Sequence, residues 1–208
     1  MNFEILFSFI LATAALAISP GPDNIYVLMQ SITNGRKYGL ATVCGLISGC
    51  LVHTTLVAFG VSAIIKESDT LFFIIKALGA MYLLYLAYKV FKSDANVTLS
   101  DAAVPKKSLG QLFKQGVIMN VLNPKVSIFF LAFFPAYLYS ETINTVTQFY
   151  VLGLLFMTTS FVVFALIAIL AGFISDFLKQ NKNIGLILKW LQIVVFIGIA
   201  IFIFLSEK

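Results

Sequence analysis

Charge is what this sequence has least of. Only 11% of its 208 residues are Asp, Glu, Lys or Arg, where a soluble domain carries about a quarter. It has nine acidic residues, one histidine and two cysteines. That scarcity argues against a metal-transport site, which needs several carboxylates, thiols or imidazoles together. Cys44 and Cys50 lie about 9 Å apart along a helix axis, too far for a disulfide, and read as packing thiols. There is no P-loop, HExxH, nucleophile elbow or dinucleotide fingerprint, so an ATPase within this chain is excluded and nothing marks an enzyme. No cofactor and no metal are expected.

What is there is apolar: 60% of the residues are hydrophobic. Runs long enough to cross about 30 Å of hydrocarbon fall at 3–32 (interrupted), 40–65, 70–91, 112–139, 146–174 and 184–205. They predict an all-α integral membrane protein of six transmembrane helices, a single transporter domain over 1–208 with no room for a soluble catalytic unit. No Lys or Arg comes before Arg36, and the start of the first run carries Glu4. The run reads as a retained helix, because a signal peptide would start positively charged.

The net charge of +5 points to the bilayer rather than to nucleic acid. Six crossings send Arg36, Lys37, Lys89, Lys92, Lys106, Lys107, Lys114, Lys179, Lys182 and Lys189 to one side, and Lys66, Lys76 and Lys208 to the other. By the positive-inside rule both termini are expected outside and the loop 92–111 in the cytoplasm. That loop divides the chain into three helices before (1–91) and three after (112–208). An odd number per half makes the halves enter the membrane in opposite directions, the arrangement of inverted-repeat transporters.

The first run contains "AISPGPDNIYVLM", with Pro20, Gly21 and Pro22 beside Asp23. "GPDN" superposes on "NPKV" at 123–126, Pro22 on Pro124, so that Asp23 falls on Lys125. Both charges then lie roughly 17–20 Å from the cytoplasmic basic residues, near the midplane. Proline removes a backbone donor, and the freed carbonyls are tolerated at that depth only where they face protein or a polar cavity. Helices 1 and 4 are therefore expected to break at Pro20–Pro22 and at Pro124, around a central site. An intramembrane carboxylate is a functional candidate by default, with a helix cap as its plain alternative. Asp23 and Lys125 are thus candidates for substrate binding, joined by Asn24, Asn120 and Asn123, whose amides would otherwise serve interhelical hydrogen bonds. Asp23 is also a candidate proton carrier. His53 shares a helix face with Gly45 and Gly49 of "GLISG", so it points into the bundle, buried and hydrogen-bonded or in a proton-coupling role. Tyr82 and Tyr85, one turn apart, could offer hydroxyls to the cavity.

Four motifs together, "SPGPDNIYVL", "GLISG", "ALGAMYLLYLAYK" and "GVIMNVLNPKVSIFFLAFFP", resemble the LysE/RhtB family of amino-acid exporters in order and along essentially the whole chain. The resemblance implies a bacterial cytoplasmic-membrane protein that exports amino acids or close derivatives by secondary active transport, driven by the proton motive force. Matched by motif, Pro20, Gly21, Pro22, Asp23 and Asn24 correspond to its helix 1 signature, and Asn123, Pro124 and Lys125 to its helix 4 signature. Its members often carry Asn at the position of Asp23. Expected partners are an amino-acid substrate, protons and lipid, with no nucleic acid; a homo-oligomer is compatible with all of this. The competing readings are a cation or metal-ion exporter of a related fold, and a membrane enzyme or partner subunit.

Overall fold

A computed structural model of the chain describes residues 3–93, 107–180 and 184–205. Most of the expected loop at 92–111, with Lys106, and also Lys182 and Lys208 lie outside the described residues. The helices are α1 (Phe3–Ile18), α2 (Pro22–Asn34), α3 (Arg36–Leu56), α4 (Ser62–Glu67), α5 (Asp69–Lys92), α6 (Leu109–Val121), α7 (Pro124–Phe133), α8 (Thr145–Ile169), α9 (Ala171–Gln180) and α10 (Ile184–Leu205). A π-helical turn, Val57–Val61, joins α3 to α4, and a 3₁₀ turn, Phe134–Tyr137, follows α7. No strand occurs among the described residues.

Arg36–Ile65, Asp69–Lys92, Thr145–Ile169 and Ile184–Leu205 are each long and apolar enough to cross a bilayer. Two bent pairs qualify together: α1 with α2, bent by 61°, and α6 with the stretch Pro124–Tyr137, bent by 53°. Counting each pair as one span gives six, and the protein is an all-α, multi-pass membrane protein.

Local chemistry explains where the helices start. Pro22 and Pro124 each occupy the first turn of the second half-helix, where no N–H is required of them. Asn123 caps α7, its side chain accepting from Lys125 N at 3.0 Å. Ser108 and Gln111 form a capping box on α6, and Ser68 and Asn144 cap α5 and α8. Gly35, between α2 and α3, has φ 99°, a left-handed conformation that glycine adopts without a Cβ penalty.

The fifth span is shorter than the run 146–174 suggests. Its helix ends at Ile169, and α9 begins at Ala171. Residues 171–180 mix Asp176 and Lys179 with apolar positions, and α9 buries Ala171 and Ser175 while exposing Phe173 and Phe177. Apolar composition carried the predicted span past a break that packing decides.

Packing is close where side chains are small. α3 runs beside α6 in the same direction, since Gly45 meets Phe113 and Gly49 meets Asn120 further along both helices. Neither Gly45 nor Gly116 has room for a Cβ: backbone of Phe113 and of Thr42 fills the space. This is the small-residue contact that lets membrane helices approach. Two separate apolar groups result. The larger gathers Phe9, Phe129, Phe130, Phe133, Phe134 and Phe156 with their neighbours; the smaller consists of Val27, Val43, Leu46, Phe164 and Ala168. Gln148, buried on α8, closes the 138–144 connection with four hydrogen bonds. Its Oε1 accepts from Tyr139 N and Ser140 N, and its Nε2 donates to the Ser140 and Ile143 carbonyls, all at 2.8–3.0 Å.

Candidate functional site

A broken helix leaves backbone groups unsatisfied at each break, and here side chains from the same break and from the other one meet some of them. Asn24 Nδ2 donates to the Ala17 carbonyl at the end of α1, at 2.7 Å. Lys125, from α7, reaches across to the Ser19 carbonyl with its Nζ at 3.4 Å. Asn123 uses its carbonyl oxygen to cap its own helix and its Nδ2 to donate to Asp23 Oδ2 at 2.9 Å. The two breaks, a hundred residues apart in sequence, are thus in contact.

Around them opens a cleft. Asp23, Asn24, Asn120, Asn123 and Lys125 line it together with Gly21 and Pro22. Much of the remaining wall is apolar, with Leu16, Ile47, Val126, Phe156 and Phe164. Asp23 is 6% exposed and is the one acidic side chain buried among the described residues. Asp23 and Lys125 share the cleft without a direct ion pair. The carboxylate is held by Asn123, while the ammonium lies between the Ser19 carbonyl and the face of Phe196, 5.2 Å from the ring centroid. Each charge therefore keeps bonding capacity for a third partner. Asn120 Oδ1, buried on the same cleft, has no protein partner.

His53 is buried beside the cleft rather than on its lining. Its Nε2 bonds the Asn120 carbonyl at 3.1 Å, and its ring packs on Phe130 at 5.3 Å. Gly49, one turn earlier, leaves the space that Asn120 fills. Pro20 and Pro124 shape the breaks without lining the cleft. Tyr82 and Tyr85 are not brought to it. Their rings lie against each other at 6.0 Å, and Tyr85 is largely exposed. Helix periodicity placed the pair on one face but could not say which face α5 turns inward; Gly79 and Leu83 take that position, Gly79 against Ala132.

Sequence reasoning missed part of the lining. Cys50, read as a packing thiol, borders the cleft. So do Phe156, Ser160 and Phe164 of α8. The signal for Ser160 was present, a polar residue inside an apolar span, but Thr158 and Thr159 carry the same signal beside it. Among the described residues no three His, Cys, Asp or Glu side chains come together as metal ligands would.

The family model described as the LysE type translocator matches residues 14–207. The chain belongs to the LysE-type translocator family. It is accordingly a transporter and not an enzyme. This LysE-type translocator is 31% identical over 183 residues to a homoserine/homoserine lactone efflux protein of Salmonella typhimurium, covering 88% of each chain. It is 26% identical over 193 residues to a leucine efflux protein of the same organism, covering 93% of this chain and 91% of the relative. No solved structure matches it significantly. The helix breaks and the cleft they form fall within the matched residues of this translocator.

Proposed function

We propose that the protein exports amino acids or close derivatives from the bacterial cytoplasm across the inner membrane, by secondary active transport coupled to protons. The observation that carries this is the joint presence of Asp23 and Lys125 on one cleft without a direct bond between them. A zwitterion has one group for each: its ammonium suits Asp23 and the unpartnered Asn120 Oδ1, its carboxylate suits Lys125. The N-termini of α2 and α7 both begin at this cleft, and half-helix N-termini carry partial positive charge that favours a carboxylate. The printed functions of the two relatives, leucine efflux and homoserine efflux, support both the substrate class and the outward direction.

Protonation of Asp23 would remove its attraction for the substrate ammonium and favour release, which links a proton to the transport cycle. His53, beside the cleft and hydrogen-bonded to the Asn120 carbonyl, is the second candidate for proton coupling. The two proline-headed breaks and the parallel run of α3 beside α6 support two inverted repeats, and the bias of basic residues supports both termini being outside.

Cells with and without the gene, loaded with a panel of labelled amino acids including leucine and homoserine, test the reading. The expected outcome is lower retention of at least one amino acid when the gene is present, abolished by a protonophore. Equal retention across the panel overturns the proposal; export that survives the protonophore overturns its coupling.

A further inference from the structure

The face that α8 presents to the cleft carries Phe156, Ser160 and Phe164, each four residues after the last. That spacing stacks them along one side of the helix, with about 12 Å of helix axis from first to last. The two rings belong to different apolar groups. Phe156 packs against Phe130 at 4.8 Å, Phe129 at 5.6 Å and Phe134 at 5.9 Å, in the larger group. Phe164 packs in the smaller group with Val27, Val43, Leu46 and Ala168, toward the end of α8 that meets α9. The cleft therefore lies between two apolar layers, each contributing one phenylalanine from the same helix face.

Ser160, between the rings, is 2% exposed, and its Oγ has no protein partner. Helical hydroxyls elsewhere in this bundle are satisfied locally: those of Ser31, Ser48, Thr54, Ser127 and Thr158 each donate to the carbonyl four residues earlier. That bond is the usual refuge of a hydroxyl in a membrane helix, and a buried hydroxyl without one is unfavourable. Thr13, Ser19 and Ser62 also lack a partner, but of the four only Ser160 lines the cleft.

We propose that α8 is the third wall of the transport site: Ser160 binds the substrate, and Phe156 and Phe164 close the cleft toward opposite faces of the membrane. This rests on the transport reading above and adds to it the residues that gate access. Phe164 seals the face that carries Arg36 and Lys37, because α8 runs antiparallel to α3, with Gly153 beside Thr54 and Ala168 beside Gly39, which puts Phe164 on the Arg36 side of Phe156. Phe156 seals the face of the 138–144 connection.

The protein carries its own reporter. Cys50 lines the cleft at 1% exposure, and the second cysteine, Cys44, is exposed and off the cleft. In a Cys44→Ser background, alkylation of Cys50 by a charged, membrane-impermeant thiol reagent is followed from each face, in intact cells and in inverted vesicles. Phe164→Ala is expected to accelerate the reaction several-fold from the face of Arg36 only, and Phe156→Ala from the opposite face only. Should either alanine variant fail to accumulate, Phe164→Leu and Phe156→Leu accelerate labelling, and Phe164→Trp and Phe156→Trp slow it. Unchanged rates in all these variants, or acceleration from the same face for both positions, overturns the gating. Ser160→Ala is expected to raise the KM for export about five- to tenfold, the equivalent of one hydrogen bond, at unchanged membrane abundance and labelling rate. An unchanged KM overturns the role of Ser160. The labelling needs no knowledge of the substrate: gated labelling without amino-acid export would refute the transport reading alone, and export with ungated Cys50 would refute the gates alone.

Discussion

Asp23 and Lys125 illustrate how much two charges can do when neither is spent on the other. Had they formed a direct buried pair, removing one would strand its partner, and removing both would restore a neutral, packed site. Instead Asp23 is bonded by Asn123, and Lys125 by the Ser19 carbonyl and the Phe196 ring. Asp23→Asn is therefore expected to lower export about tenfold or more, the scale of one charged hydrogen bond, while the protein still inserts. Lys125→Ala should weaken substrate binding more than it lowers abundance. The double variant Asp23→Asn/Lys125→Ala should stay inactive. Efflux rates normalised to membrane abundance decide this: recovery in the double variant would make the two charges a purely structural pair, and full export by Asp23→Asn would reduce that carboxylate to a structural acceptor for Asn123.

Between helices, close approach and satisfied polar groups decide stability. A Cβ on Gly116 would meet the Thr42 carbonyl and Leu46 N, backbone atoms that cannot swing away, whereas a Cβ on Gly110 of the same helix meets nothing within 4 Å. Gly116→Ala is expected to destabilise by about 1–3 kcal/mol, the usual scale of overpacking, and Gly110→Ala to be neutral or slightly stabilising. Thermal unfolding of the two purified variants in one detergent makes the comparison; equal melting temperatures would contradict the tight α3–α6 contact. Gln148 offers a second test at this scale. Gln148→Leu removes four hydrogen bonds and leaves the Tyr139 and Ser140 amides without their acceptor. A loss of at least about 2 kcal/mol follows from two orphaned backbone donors, read as a lower unfolding temperature and faster proteolysis at 138–144. A variant as stable as the parent would mean that the connection holds itself.

Across the whole molecule most of the described basic residues gather at one end. The parallel course of α3 and α6 brings Arg36 and Lys37 to the same end as Lys114, and Lys189 at the start of α10 donates to the Ser93 carbonyl at the end of α5, at 2.7 Å. If that end is cytoplasmic, as the charge bias requires, Thr142→Cys on the opposite connection should react with an impermeant thiol reagent in intact cells. Ser93→Cys should react only in inverted vesicles. The reverse pattern would invert the topology and, with it, the assignment of which side Phe164 guards.

Several features needed only the sequence. Apolar run length set the number of spans, because a bilayer of fixed thickness imposes one scale on every helix. Pro22 and Pro124 marked both breaks, because a missing backbone donor acts locally whatever surrounds it. Depth relative to the basic residues singled out Asp23 and Lys125 for the same reason: it needs only a rise per residue. Which face each helix turns inward was decided by the tertiary structure. Tyr82 and Tyr85 look as eligible as any polar pair until Gly79 of the same helix is found packed on Ala132. Ser160 looks like Thr158 until one is found bonded to its own helix and the other to nothing. In an almost uniformly apolar chain the hydrophobic pattern hardly distinguishes a lipid-facing side from a bundle-facing one, because lipid is as apolar as the bundle interior. Close packing of glycines and the satisfaction of polar groups make that choice, and both are properties of residues brought together from distant parts of the chain.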